Sequence, residues 1–368
     1  MRTLNLVNDD RQFSSISIQE EINNEKYPKN LVFNNSTVLN ITLPSSGILQ
    51  IKSKIKSNDT LVFSGGIHGD EKAGIEILDH LVEEIVSGTL EVKHNLLLIY
   101  GNLRAMNMRD GKGHRCIEPE LGIISNLNRC FNQGIFGNPK SYAQIRANEI
   151  TSAVEKFVRG FVEVIDIHQS FVVPTVRDVR GNNNRTEYTY AILYYKDVKK
   201  ILNWIYEKYS DIVAGAVLND MSQKHTSFAG YMAQKFEANS ATFEQGAIGY
   251  TDWDTFTPQL LQNIKTKISG NGKLKKPLGF DVWKFTGNII KETEDFKFLS
   301  KDGEILKKNP IDFLPIGYSR IAKDNKKYFD IADNERLLFS NCDVPLRDRV
   351  AMIIKKIKTD IVPPPPIY

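Results

Sequence analysis

Apolar residues in this chain recur with two different periods, and the switches between them mark out its elements. Residues 48–56, ILQIKSKIK, alternate apolar and polar side chains, the spacing of a half-exposed strand. Leu61, Val62 and Phe63 form a short unbroken apolar run, the signature of a buried strand. Beyond it Ala73, Ile77, Leu78, Leu81, Val82, Ile85 and Val86 return at three- and four-residue spacing, which predicts a helix closed near Gly88. LLLIY, residues 96–100, reads as another buried strand, ended by Gly101 and Asn102. Residues 103–140 follow neither period, and irregular stretches of that length are often functional. A helix is predicted at about 142–158, with Ile145, Ile150, Val154 and Phe157 on one face, and a strand at 162–167, VEVIDI. Strands at about 190–195, 214–218 and 240–244 follow with helical patterns between them. The last helix spans about 258–268, with Thr257 as its cap and Pro258 in its first turn.

Strands alternating with helices imply an α/β fold, an open sheet that is mostly parallel or mixed and covered by helices on both faces. In such sheets ligands bind beyond the carboxyl ends of the strands. The composition then shifts at residues 269–278, SGNGKLKKPL, to a linker of glycine, lysine and proline. Short strand-like runs follow at 282–285, 296–299, 313–316 and 337–340, broken by turn signals such as Lys301-Asp302-Gly303. The expected organisation is a catalytic domain over residues 1–270, of which 1–45 carry no clear pattern, and a small C-terminal β-rich domain over 271–368. The latter ends in the proline-rich tail Pro363–Tyr368.

Composition narrows the class. The chain has 368 residues, a formal charge of +4 and basic residues interspersed with acids, which gives no support to nucleic-acid binding. No apolar run approaches the roughly 20 residues that span a bilayer, and the N-terminus lacks the apolar core of a secretory signal. No membrane partner is expected, and a reducing cytoplasm is the expected location. The three cysteines, Cys116, Cys130 and Cys342, are too scattered for a disulfide framework or a cysteine metal site. Metal ligation, if present, falls to the six histidines. A homo-oligomer is left open.

The chemistry concentrates at strand ends. In LVFSGGIHGDE, residues 61–71, a glycine turn leads from the strand to His68 and Glu71, three residues apart where the helix begins. An imidazole and a carboxylate so placed can face one metal ion and suit zinc, which needs a third protein ligand and one open position to be catalytic. His168, just past the strand VEVIDI, is the candidate third ligand, with Asp166 on the same side of the strand to orient its ring. His80, His94, His114 and His225 have no comparable context. Glu244, in ATFEQG at the end of a late strand, is the candidate general base that would later protonate a leaving amine. Within the irregular stretch, Asn128 and Arg129 form a candidate carboxylate clamp, and Arg115 a candidate to polarise a scissile carbonyl. A serine hydrolase is excluded for want of a glycine-flanked nucleophile elbow, and a nucleotide site for want of a phosphate-loop lysine.

GGIHGDE, GNLRAM, NLNRCF, DIHQS and TFEQG stand in the order and approximate spacing of the succinylglutamate desuccinylase and aspartoacylase family, which this chain resembles over about residues 48–355. The segment from Trp283 to Lys355 looks like the second domain of the desuccinylase branch in particular. The resemblance implies a zinc carboxypeptidase-like fold and one Zn2+ per chain held by His68, Glu71 and His168. It implies Glu244 as catalytic acid and base, Asn128 and Arg129 on the substrate carboxylate, and Arg115 on the carbonyl. The implied substrate is a small N-acyl amino acid, above all N-succinyl-glutamate, cleaved to succinate and glutamate in arginine catabolism. An aspartoacylase-like deacylase or a peptide-cleaving carboxypeptidase is the alternative. Two departures stand out. Asn126 occupies a position where the family usually has an acid, and the segment after His168, SFVVPTVRDVRGNNNRTEY, is longer than usual. There Arg180 with Gly181, or else Arg177, is the counterpart of the family's substrate-binding arginine.

Overall fold

The apolar run at Leu61–Phe63 lies inside a sheet of 12 strands, in a computed structural model of the chain. The structure describes residues 29–31, 33–55, 57–107, 113–170, 189–213, 215–222, 224–247, 257–270, 279–292, 296–298, 320–324, 327–330, 335–338 and 349–362. Arg177, Arg180, the strand expected at 313–316 and the proline-rich tail lie outside the described residues. The chain enters through β1 (Lys29–Asn30), β2 (Val38–Ser45), β3 (Ile48–Ser53) and β4 (Thr60–Gly65), followed by helix α1 (Lys72–Ser87) and β5 (Asn95–Tyr100). The stretch without periodicity holds the short helix α2 (Leu103–Met106) and two 3-10 turns, Pro119–Ser125 and Leu127–Arg129. Then come α3 (Tyr142–Phe157), β6 (Val162–Ser170), β7 (Thr189–Tyr195), α4 (Val198–Tyr209), β8 (Gly215–Asp220), α5 (Phe228–Phe236), β9 (Asn239–Ala247) and α6 (Thr257–Ser269). After Ser269 the described elements are strands alone: β10 (Asp281–Ile290), β11 (Lys297–Phe298), β12 (Arg320–Asp324), β13 (Lys327–Asp330), β14 (Glu335–Leu338) and β15 (Arg349–Ile357).

The sheet runs β1-β2-β3-β5-β4-β6-β9-β7-β8-β10-β15-β14, and β11-β12-β13 form a separate three-stranded sheet. Its centre, β5-β4-β6-β9, is parallel. β7 enters antiparallel to β9, and β8 and β10 then continue parallel to β7. The sheet is therefore mixed, and the first strand beyond the linker is hydrogen-bonded to β8.

Alternation along the central strands sorts their side chains onto two faces. Leu61, Phe63, Leu96, Leu98, Ile165 and Ile167 pack with the apolar stripes of α1, α4 and α6. Val62, Leu97, Ile99, Val162 and Val164 pack on the other face against α3 and α5. The stripe predicted for α1 is buried throughout, and the helix ends at Gly88 in the left-handed conformation, φ 87°. The face of α3 differs from expectation, since Ile145 is exposed while Ala143, Ala147, Ile150 and Val154 are buried. At about 100° per residue, Ile145 falls nearly opposite Ile150 and Val154. Arg146 on α3 is fully buried, because the end of β5 leaves carbonyls for its guanidinium. Its Nε donates to Gly101 O at 2.8 Å and Nη2 to Tyr100 O at 2.6 Å, while Nη1 meets Glu149 at 2.7 Å. Among the described residues no helix is long and apolar enough to cross a membrane.

Asp79 on α1 accepts a hydrogen bond from the Tyr100 hydroxyl at 2.8 Å. Burial pushes its carboxyl up to about 8, with the Glu76 charge adding to the rise. An unfolded aspartate titrates near about 3.9, so the folded chain binds an extra proton between about pH 4 and 8. Stability is therefore expected to fall as pH rises through that window. Asp79→Asn keeps an acceptor that cannot ionise, so its melting temperature should gain on wild type from about pH 5 to 9. A constant difference across that range would contradict the assignment.

Candidate metal centre

The centre is built where two glycines let a helix start against strand ends. Ideal Cβ atoms placed on Gly65 and Gly74 would lie 2.4 Å from the Gly74 carbonyl carbon and 2.8 Å from Gly65 Cα, respectively. Only glycine permits this backbone-on-backbone approach of β4 and the first turn of α1. Gly66 then turns the chain out of the strand with φ 66°, a left-handed conformation. The turn is pinned from β5, where Gly101 N–H donates to Gly65 O at 2.9 Å and Asn102 N–H to Gly66 O at 2.8 Å. His68 follows on the turn, and Glu71 occupies the N-cap position of α1.

His68, Glu71 and His168 are buried together, and one ligand atom from each lies within 4.8 Å of the others. Glu71 sits between the two rings: Oε1 is 2.7 Å from His68 Nδ1, and Oε2 is 2.7 Å from His168 Nδ1. The outer nitrogens meet acceptors. His168 Nε2 lies 2.9 Å from Asp166 Oδ2, whose other oxygen accepts from Ser64 Oγ at 2.7 Å. His68 Nε2 lies 3.2 Å from Asn126 Oδ1, which also accepts from the Asn128 backbone N–H at 3.0 Å. That second bond identifies the Asn126 atom as oxygen, so His68 must carry its hydrogen on Nε2 and present a lone pair at Nδ1. A carboxylate and imidazole nitrogens then converge, with Arg115 Nη1 donating to Glu71 Oε1 from 3.4 Å. Glu71 Oε2 is buried and accepts no aligned hydrogen bond, despite the nearby ring. This donor set fits a divalent cation of the zinc type.

Electrostatics agree with that fit. Burial, helped by Arg115, pushes His68 down to about 4 and so keeps its ring neutral. Burial alone would raise Glu71, yet the two imidazoles draw it well below the usual carboxylate range. Burial likewise opposes charge on His168, but Asp166 and Glu71 outweigh it and hold the ring well above its ordinary value. A cation binding at these atoms competes with the His168 proton, so its uptake releases a proton.

The remaining candidates group around this cluster to differing degrees. Glu244 on β9 is the cross-strand partner of His168 on β6 and is buried. Neighbours in parallel register point to the same face. Arg115 Nη1 lies 3.4 Å from Glu71 Oε1, with a third of its side chain exposed. Asn128 uses its Oδ1 to accept from Phe228 N–H at the start of α5, 2.9 Å away, which leaves its amide hydrogens for another group. Arg129 donates from Nη1 to Asn128 O at 3.0 Å. His80, His94, His114 and His225 are outside the cluster. Sequence reasoning singled out Asp166 but missed Ser64 and Gly74, whose parts depend on neighbouring strands. The contact of Asn126 with His68 was missed as well; only its departure from the family pattern pointed there.

A buried cluster that could hold a metal ion, at the carboxyl edge of a helix-covered mixed sheet, is what this α/β protein presents. Residues 57–267 match the family model described as Succinylglutamate desuccinylase/Aspartoacylase catalytic domain. The chain belongs to this family of deacylating hydrolases. It is 30% identical over 326 residues to a succinylglutamate desuccinylase of Pseudoalteromonas atlantica, covering 85% of this chain and 86% of the relative. A relative of the same name from Photorhabdus laumondii is 27% identical over 260 residues, covering 69% and 74%. Two solved structures share the fold. The succinylglutamate desuccinylase of Vibrio cholerae has a TM-score of 0.71 at 19% identity, covering 94% of this chain and 96% of the other. That of Chromobacterium violaceum has 0.68 at 18%, covering 93% and 98%.

The glycine contact gives a direct test. Gly74→Ala forces a methyl group against Gly65 Cα and the Ile167 carbonyl, backbone atoms that cannot swing aside. Such overpacking is expected to cost about 1–3 kcal/mol, read as a lower midpoint in chemical denaturation. An unchanged midpoint would show that the contact constrains nothing.

Proposed function

We propose that this chain hydrolyses the amide bond of an N-acyl amino acid with one zinc ion per chain, and that N-succinyl-glutamate is its substrate, a step of arginine catabolism. The observation that carries this reading is the convergence of His68, Glu71 and His168, with Glu244 paired to His168 on the adjacent parallel strand. The names of the relatives in the matched family support the acyl group and the amino acid. His68 and His168 would bind the ion through Nδ1, and Glu71 through its carboxylate. When bound, zinc supplies a water of lowered pKa, toward about 7, and polarises the carbonyl.

The protein's own groups do the rest. Asp166 and Asn126 hold the two rings with their Nδ1 atoms turned to Glu71. Glu244 takes the proton from the attacking water and returns it to the departing amine. Arg115 stabilises the negative charge that develops on the carbonyl oxygen, a contribution of about 3–4 kcal/mol for a well-placed donor. Asn128 and Arg129 hold the substrate carboxylate through N–H donors, with Arg180 assigned to the same task from the resemblance. An aspartoacylase-like deacylase or a carboxypeptidase is the second reading, favoured by Asn126 and the long segment after His168 where the acyl group would be selected. A division near residue 270 into a catalytic domain and a β-rich domain is part of the proposal, supported by the absence of helix among the described residues after Ser269.

A panel of N-acyl amino acids, assayed for amine release with metal-depleted and zinc-restored protein, separates the readings. Zinc-dependent release from N-succinyl-glutamate above the other substrates is expected; release from none would contradict the proposal. Glu244→Gln should retain zinc while turnover falls by about 100- to 10,000-fold. Near-normal turnover would remove Glu244 from the chemistry. His168→Ala should lose the metal, and full zinc content by elemental analysis would refute its role.

A further inference from the structure

Glu71 is an N-cap that does not cap. It occupies the position before α1 but makes no side-chain bond to the helix, because its carboxylate faces the two imidazoles. At such a position a side-chain oxygen ordinarily accepts from the N–H of the second or third helical residue. Here the second residue is Ala73, fully buried, and a buried amide without an acceptor is costly. Its N–H donates instead to Gln169 Oε1, 3.1 Å away. Gln169 is itself buried and directly follows His168 on β6. Alternation turns it to the face where Ile165 and Ile167 meet α1, while His168 and Asp166 turn to the other.

We infer that Gln169 is a positioning residue for the metal centre: it supplies the cap that Glu71 gives up and ties the residue after one ligand to the first turn after another. The inference rests on the metal reading proposed above. The Gly65–Gly74 contact presses α1 against the strand ends, but close packing alone leaves the helix free to rotate or slide slightly. The Gln169 bond removes that freedom at the point where Glu71 must stay within reach of His168. A glutamine suits the task because its side chain is long enough to bring an acceptor oxygen across to α1.

The test uses the full chain and needs no substrate. Gln169→Met keeps the length and apolar stem but removes the acceptor, and Gln169→Glu keeps an oxygen at the same reach. Zinc affinity is measured by competition with a chromogenic chelator, and melting temperature with and without zinc. Q169M is expected to bind zinc at least about ten-fold more weakly, the scale on which residues orienting metal ligands act, and to lose part of the zinc-induced rise in melting temperature. Q169E is expected to recover most of the wild-type affinity. A cap with no bearing on the metal would lower the melting temperature equally with and without zinc and leave affinity unchanged, which would overturn the inference. So would a Q169E protein that binds as weakly as Q169M or, should Q169M fail to fold, binds far more weakly than wild type. Wild-type protein that takes up no zinc would overturn the metal reading and this inference together, whereas normal uptake by wild type and Q169M alike overturns this inference alone.

Discussion

The close approach of Gly65 and Gly74 is the constraint on which the rest of the structure depends. A parallel pair of strands and a following helix usually keep a layer of side chains between their backbones. Here the layer is missing at one point, since a Cβ on either glycine would meet backbone atoms of the other segment. The first turn of α1 therefore starts flush with the ends of β4 and β6, and a residue at its N-cap can reach a residue at the end of β6. Move the helix outward by one methyl group and Glu71 no longer lies between two imidazoles.

The arrangement also explains how so many polar groups stay buried in one place. Ser64, Asp166 and Thr242 are cross-strand neighbours on β4, β6 and β9, and His168 and Glu244 form the next row toward the carboxyl edge. Each ring nitrogen of His68 and His168 that faces away from Glu71 has an oxygen partner, one from a carboxylate and one from a neutral amide. The two rings thus differ in the charge behind them. That asymmetry matches their opposite shifts, His68 downward under burial and Arg115, His168 upward under two carboxylates.

Much of this was legible in the sequence because it depends on short-range pattern. The apolar run of β4, the stripe of α1 and the period of β6 each place a chemistry-bearing residue at an element's end, so His68, Glu71, His168 and Asp166 could be singled out. Glu244 was legible for the same reason, but its register beside His168 was not, because pairing between β6 and β9 joins residues far apart in the chain. Ser64, the contact of Asn126 and the bond of Gln169 were hidden by the same non-local geometry. Gly74 looked like one more residue inside a helical pattern. Ile145 lies off the buried face of α3 because it stands five and nine residues before Ile150 and Val154, nearly opposite them around the helix.

The central claim is that three side chains from two strand ends gather one metal ion and leave it open to solvent. X-ray absorption at the zinc edge of the stoichiometrically loaded protein measures this directly. The account predicts two imidazole nitrogens and one carboxylate ligand, with a solvent oxygen completing the shell. Sulfur scattering, a fourth protein ligand in place of solvent, or a single imidazole in the shell would contradict it.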